Sequence, residues 1–151
     1  MPVRYSSDLA EHHAVREAAG IFDISHMAEI SVTGPDAIAY LNFAVAADVS
    51  KLAVGQAKYS LLLNEAGGII DDLIIYRLGD EHFLVVANAG NRFNVVPPLQ
   101  TRTAGFRAVV VDQSDETALI AVQGPRALEI LQNTIGLQLA DAAGERPQTT
   151  L

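Results

Sequence analysis

The residues best suited to chemistry lie in Gly67-Gly-Ile-Ile-Asp-Asp-Leu-Ile-Ile-Tyr76, where two adjacent carboxylates interrupt an apolar run. Carboxylates in such a run are costly unless hydrogen bonds or function hold them. The run reads as a strand. Alternation puts Ile70, Asp72, Ile74 and Tyr76 on one face and Asp71, Leu73 and Ile75 on the other, so both carboxylates reach solvent only if the strand twists or bulges. One of them is expected to face a pocket. Asp72 shares its face with Tyr76, and a carboxylate flanked by apolar walls and a phenol suits the anchoring of a small, flat, hydrogen-bond-rich ligand. The structural alternative is that one Asp caps a turn after Gly67-Gly68 while backbone amides satisfy the other.

The remaining candidates are weaker. His12-His13, His26 and His82 are scattered without paired His/Asp/Glu spacing, so no metal site is expected. His26 is expected to hydrogen-bond a neighbouring backbone group or carboxylate rather than to catalyse. Ser25-His26 lacks the Gly-x-Ser-x-Gly elbow of a hydrolase, and neither Gly-x-Gly-x-x-Gly nor a phosphate loop ending in Gly-Lys-Ser/Thr occurs. Asn88-Ala-Gly-Asn91 could offer backbone and amide groups to a ligand, or be an ordinary turn.

These residues need elements to position them. Asp8 and Glu11 have capping-box spacing, and Leu9–Ala19 is rich in helix formers and stops at Gly20, which predicts an opening helix. Residues 28–32, 59–63, 69–78, 82–87, 106–112 and 118–122 read as strands by composition and length. Tight turns such as Asn64-Glu-Ala-Gly-Gly68 and Gly79-Asp-Glu81 favour hairpins over parallel crossovers. The expected class is α+β, with mostly antiparallel sheets and flanking helices.

Val32-Thr-Gly-Pro-Asp-Ala-Ile-Ala-Tyr-Leu41 is echoed by Val122-Gln-Gly-Pro-Arg-Ala-Leu-Glu-Ile-Leu131, each a strand, a turn Gly, a Pro preset for the first helical position, and a helix. Two such units could pair as halves of one layer. The expected organisation is a first lobe of residues 1–50 plus 116–137 carrying both units, an inserted antiparallel sheet lobe of 51–115, and a disordered tail of 138–151.

Composition narrows the function further. The chain has 151 residues, 50% hydrophobic, with 10 Lys+Arg against 18 Asp+Glu for a net charge of −8 at neutral pH. That charge repels phosphate backbones and anionic membranes, so neither nucleic acid nor membrane is an expected partner. The absence of Cys excludes a thiol nucleophile, a disulfide or a Cys-ligated metal. No secretory leader is legible at Met1-Pro-Val-Arg-Tyr5, and no apolar run approaches the ~18 residues of a membrane span. The expected location is cytoplasmic.

Taken together, His12-x-x-Val15-Arg16, Gly20-Ile-Phe-Asp-Ile-Ser-His-Met27, Asn64-Glu-Ala-Gly-Gly-Ile-Ile-Asp-Asp-Leu73, Val85-Val-Ala-Asn-Ala-Gly90 and Ala121-Val-Gln-Gly-Pro125 resemble the aminomethyltransferase family, that of the T-protein of the glycine cleavage system. The resemblance covers roughly residues 1 to 137 and corresponds to the N-terminal part of family members, whose chains run well over twice this length. It implies a truncated folate-binding domain of the T-protein type, with the segment between the Gly-Pro units forming a second sheet lobe.

The implied reaction is tetrahydrofolate-dependent. An aminomethyl group carried on the lipoyl arm of the H-protein loses its nitrogen as ammonia, and its methylene carbon passes to tetrahydrofolate, the one-carbon acceptor; no metal takes part. By position Asp72 matches the family's essential aspartate, suited to orienting the reacting nitrogens and stabilising developing positive charge. Tyr59 and Tyr76 match positions lining the folate pocket, Met27 one that packs on the ligand, and Val86 and Asn88 the strand end near the pteridine. A glutamate and arginines that the family uses further along lie beyond this sequence. Self-association through exposed apolar faces is therefore a further expectation. The alternatives are an inactive or non-catalytic folate-binding fragment and a related folate-dependent demethylase.

Overall fold

The structure, a computed structural model, describes residues 3–135. The segment 138–151, expected as a disordered tail, lies outside the described residues. In chain order the helices are α1 (Asp8–Glu17), α2 (Ala37–Ala44), α3 (Arg92–Thr101) and α4 (Ala127–Ile135). The strands are β1 (Gly20–Asp23), β2 (Ala28–Thr33), β3 (Ala57–Leu63), β4 (Ile69–Arg77), β5 (His82–Ala87), β6 (Val109–Asp112) and β7 (Ile120–Gln123). Short 3₁₀ turns fall at Val49–Lys51 and Ala89–Asn91. Among the described residues no helix is long and apolar enough to cross a membrane.

The described residues divide into two compact units, 3–24 with 119–135, and 25–118. This differs from the expected lobes of 1–50 plus 116–137 and 51–115. The reason lies in strand pairing: β2, assigned to the first lobe, hydrogen-bonds β5 on one side and β6 on the other, so it is bound into the middle segment. The two Gly-Pro segments accordingly fall in different compact units.

The larger unit is a five-stranded sheet of order β3-β4-β5-β2-β6, with every pairing antiparallel. Its core face alternates through the strands as Leu62, Leu73, Ile75, Phe83, Val85, Ala28, Ile30, Val32 and Val110. Ala37, Tyr40, Leu41 and Ala44 of α2 and Val95 and Leu99 of α3 join the same cluster. The buried Tyr40 hydroxyl donates to the Leu99 carbonyl at 2.6 Å, linking the two helices and satisfying a polar group that would be costly to bury alone.

The smaller unit pairs β1 with β7 antiparallel, Ile21 opposite Val122 and Phe22 opposite Ala121. Sequence pattern missed β1, a four-residue strand too short for alternation to register. The opening helix also begins differently from expectation: Ser7 is its N-cap, accepting from Ala10 N–H at 3.2 Å, while Glu11 reaches back to the Tyr5 and Ser6 amides, each at 2.7 Å. Gly20 opens β1 rather than capping the helix.

Candidate functional site

The site is built on the face of the five-stranded sheet that lies away from α2 and α3. Register places Tyr59 opposite Ile74, Ile74 opposite Val86, and Val86 opposite Glu29, so these four share a row across β3, β4, β5 and β2. In the adjoining row Leu61 faces Asp72, and on the other side Tyr76 lies between Ala57 and Leu84. Asp72, Ile74 and Tyr76 therefore occupy one face of β4, while Asp71, Leu73 and Ile75 are buried on the other.

Asp72 is held at both oxygens. The Tyr59 hydroxyl, a diagonal neighbour across the β3–β4 ladder, donates to Oδ2, and the Asn88 amide Nδ2 donates to Oδ1 at 2.9 Å. The Tyr59 bond, with the Asn88 bond behind it, holds the Asp72 carboxyl below the usual carboxylate range despite some desolvation. The same bond raises the phenol of Tyr59, since losing its proton would remove the donor from an anion. The result is a carboxylate ionised at neutral pH beside Tyr59, 55% exposed, with Tyr76, 37% exposed, four residues further along the same face of the strand. An ionised acceptor beside one accessible aromatic ring, with a second further along the same face, suits a flat ligand rich in N–H groups.

Asn88 follows β5 directly and joins the two carboxylates. Its main-chain N–H donates to Asp71 Oδ2 at 3.1 Å, and its Nδ2 lies 2.9 Å from Asp71 Oδ1. The segment Asn88–Asn91 is thus more than a turn, for Asn91 also donates to the Ile70 carbonyl and ties the 3₁₀ turn to the start of β4. Neither Asp caps the turn at Gly67-Gly68. Asn64 does so, its Oδ1 accepting from Ala66 and Gly68 N–H at 3.0 and 2.8 Å.

Of the residues expected at the site, Tyr59, Asp72 and Asn88 are joined by hydrogen bonds, and Tyr76 and Val86 share their face of the sheet. Met27 sits half-buried immediately before β2, one residue ahead of the Ala28–Ala87 pair, which brings it to the Asn88 end of the sheet. His26, expected to hydrogen-bond a neighbour, lies exposed in the turn before β2. Among the described residues no group of three or more His, Cys, Asp or Glu could hold a metal ion.

Two features escaped the sequence reading. Glu29 is 4% exposed in the Tyr59 row, and its Oε1 has no hydrogen-bond partner among the described residues. Its main-chain N–H donates to Ser114 Oγ at 2.9 Å, and Ser114 is in turn fixed by Asp112, which Arg92 grips at 2.7 Å while pairing bidentately with Asp115. The signal available was the alternation of Glu29 and Ser31 against apolar neighbours, which reads as a solvent face. The second is the tie between Asp71 and Asn88, whose 17-position separation leaves no local trace.

An antiparallel sheet backed by two helices, with an ionised carboxylate held by an exposed tyrosine on the face away from those helices, defines an α+β domain with a candidate binding face. The model of the GCVT N-terminal domain family matches residues 1–145. An aminomethyltransferase from Corynebacterium jeikeium is 56% identical over 149 residues, 96% of this chain and 38% of that protein. One from Thermus thermophilus is 48% identical over 140 residues, 93% of this chain and 40% of that protein. The solved glycine cleavage system aminomethyltransferase T from Bartonella henselae superposes with a TM-score of 0.83 at 45% identity, covering 88% of this chain and 37% of its own. A chain of heterotetrameric sarcosine oxidase from Corynebacterium sp. U-96, 16% identical with a TM-score of 0.54 over 88% of this chain and 67% of its own, shares the fold. The chain belongs to the GCVT N-terminal domain family, and it spans about two fifths of the length of the curated relatives it matches.

Proposed function

We propose that this chain carries the folate-facing sheet of an aminomethyltransferase of the glycine cleavage type, acting in the cytoplasm with a lipoylated H-protein as aminomethyl donor. The observation that carries the reading is Asp72, ionised and hydrogen-bonded by Asn88 and by the exposed Tyr59, with Tyr76 further along the same sheet face. That arrangement fits tetrahydrofolate, a flat ring system whose N–H groups need an acceptor and whose faces need apolar walls. When bound, tetrahydrofolate supplies the two nitrogens that take up the methylene carbon, while the donor's own nitrogen leaves as ammonia and the carbon–sulfur bond to the lipoyl arm breaks, returning the arm as its dihydrolipoyl thiol.

The chain's residues have distinct parts in this. Asp72 accepts an N–H of the reacting region, which orients it and offsets the positive charge that develops as a nitrogen attacks carbon. Tyr59 and Asn88 keep that carboxylate ionised and fix its direction, since each oxygen already holds one donor and retains an acceptor site. Tyr76 and the half-buried Met27 supply the wall against which flat rings pack, with Val86, 7% exposed, on the same sheet face.

Isothermal titration of tetrahydrofolate into the purified chain and into Asp72→Asn, with circular dichroism as a check on folding, tests the reading. Binding by the parent chain, weakened at least about tenfold by the substitution, is the expected result. Equal binding by both, or a folded parent chain that binds nothing, would remove the site from this sheet face.

A further inference from the structure

Asp71 lies on the buried face of β4, 7% exposed, so it takes no place on the open face where Asp72, Tyr59 and Tyr76 stand. Its hydrogen bonds nonetheless run to that face through one residue. Oδ2 accepts the Asn88 main-chain N–H at 3.1 Å, and Oδ1 lies 2.9 Å from Asn88 Nδ2. The same Nδ2 is 2.9 Å from Asp72 Oδ1 and 3.2 Å from the Asp72 carbonyl oxygen.

A carboxamide has two unlike ends, and an ionised carboxylate only accepts. With acceptors from Asp71 and Asp72 converging on one end, that end must be the NH2. The flipped orientation would set Oδ1 against two carboxylates. The carboxamide Oδ1 is therefore turned away from both. Asn88 is otherwise exposed, and a single bond to Asp72 would leave its side chain free to rotate. Asp71 removes that freedom by gripping main chain and side chain together.

We propose that Asp71 is a positioning residue: it locks the Asn88 carboxamide so that the NH2 serves Asp72 and Oδ1 is presented as an acceptor to an N–H group of the ligand. The inference rests on the folate-facing reading above for the identity of that ligand. Asn88 Oδ1 and the Asp72 carboxylate then form an acceptor pair, which selects a ligand carrying neighbouring N–H donors and disfavours one that presents carbonyl or ether oxygens there. A purely structural Asp71 would tie β4 to the end of β5 without regard to which way the amide points.

The test uses the ¹⁵N-labelled chain, following the Asn88 side-chain NH2 signals together with tetrahydrofolate titration and the thermal midpoint. In the parent chain both Asn88 amide protons are expected downfield and slow to exchange. Asp71→Asn is expected to move them to the position of a free carboxamide and to weaken tetrahydrofolate binding about tenfold. The exchanged pair Asp71→Asn with Asn88→Asp keeps the net charge and rebuilds a carboxylate–carboxamide contact, so the thermal midpoint is expected to recover while tetrahydrofolate binding does not. Asn88 signals unmoved in Asp71→Asn, or binding restored with the midpoint in the exchanged pair, would overturn the proposal. If the parent chain shows the locked amide yet binds no tetrahydrofolate, the folate reading fails, and the Asn88 signals in Asp71→Asn decide the role of Asp71.

Discussion

The two Gly-Pro segments, 90 positions apart, fold alike and are used differently. In both, the Gly takes a positive φ, 123° at Gly34 and 133° at Gly124, and accepts the N–H three residues on, from Ala37 at 3.0 Å and Ala127 at 3.1 Å. Each has a backbone carbonyl pressed against it: an added Cβ would lie 2.3 Å from the Arg107 oxygen at Gly34 and 2.5 Å from the Ala18 oxygen at Gly124. That same carbonyl accepts an N–H two residues further on, from Asp36 at 3.3 Å and Arg126 at 2.9 Å. Beyond this the segments part. Val32 and Leu41 are fully buried in the core of the larger unit, whereas α4 buries no residue and Leu128 and Ile130 remain over a third exposed. Local geometry is written in the motif; burial is decided by whether four further strands surround it.

The comparison can be broken most forcefully at the paired leucines. Leu41→Ala is expected to cost about 2–5 kcal/mol in urea denaturation, the range for emptying a packed core position. Leu131→Ala, half-buried, should cost about 1 kcal/mol or less, read by hydrogen exchange of the β1 and β7 amides. The turn glycines should behave as equals, since each needs a positive φ and a bare Cα: Gly34→Ala and Gly124→Ala are each expected to destabilise their own unit by ~1–3 kcal/mol. Unequal losses would show that the glycine echo is coincidental.

The next effect in size concerns the larger unit alone. Tyr59→Phe removes the main cause of the lowered Asp72 carboxyl, so the Asp72 titration followed by ¹³C NMR should move up toward the ordinary value. The sign for stability follows. A carboxyl lowered by folding stabilises above its unfolded pKa of ~3.9, and that contribution is lost as pH falls through the lower folded value. The parent chain should therefore lose this contribution only in acid below that pKa, and Tyr59→Phe should lack it. Smallest of all, Arg126→Ala breaks an exposed pair with Glu129 one turn away, and should move the thermal midpoint less than Arg107→Ala, whose partner Asp36 lies 71 positions away in sequence.

Much of this was legible in the sequence because period-2 alternation survives wherever a strand has one buried face. The alternation at Ile69–Arg77 correctly separates Asp71 from Asp72, and five further strands fall where composition places them. What escapes is non-local. Pairing of β2 with β5 and β6 cannot be read from β2 itself, so the lobe boundary was misplaced. β1 is a strand only because β7 is its partner, and the N-cap of α1 falls one residue before the Asp8 that the spacing points to, at Ser7, whose hydroxyl accepts from Ala10 N–H. Tyr59 reached Asp72 through a diagonal set by the β3–β4 register, which spacing along the chain could not show. Proline departed from expectation as well: Pro35 sits in the turn, and the helix begins at Ala37.

The central claim is that the open face of the sheet in residues 25–118 holds the ligand, with Asp72 as its anchor. Its most direct test is chemical-shift mapping of the ¹⁵N-labelled chain during titration with tetrahydrofolate. The account predicts perturbations concentrated at Met27, Tyr59, Asp72, Tyr76, Val86 and Asn88, lost in Asp72→Asn. Shifts centred instead on α1, β1 and β7, or persisting unchanged in Asp72→Asn, would contradict it.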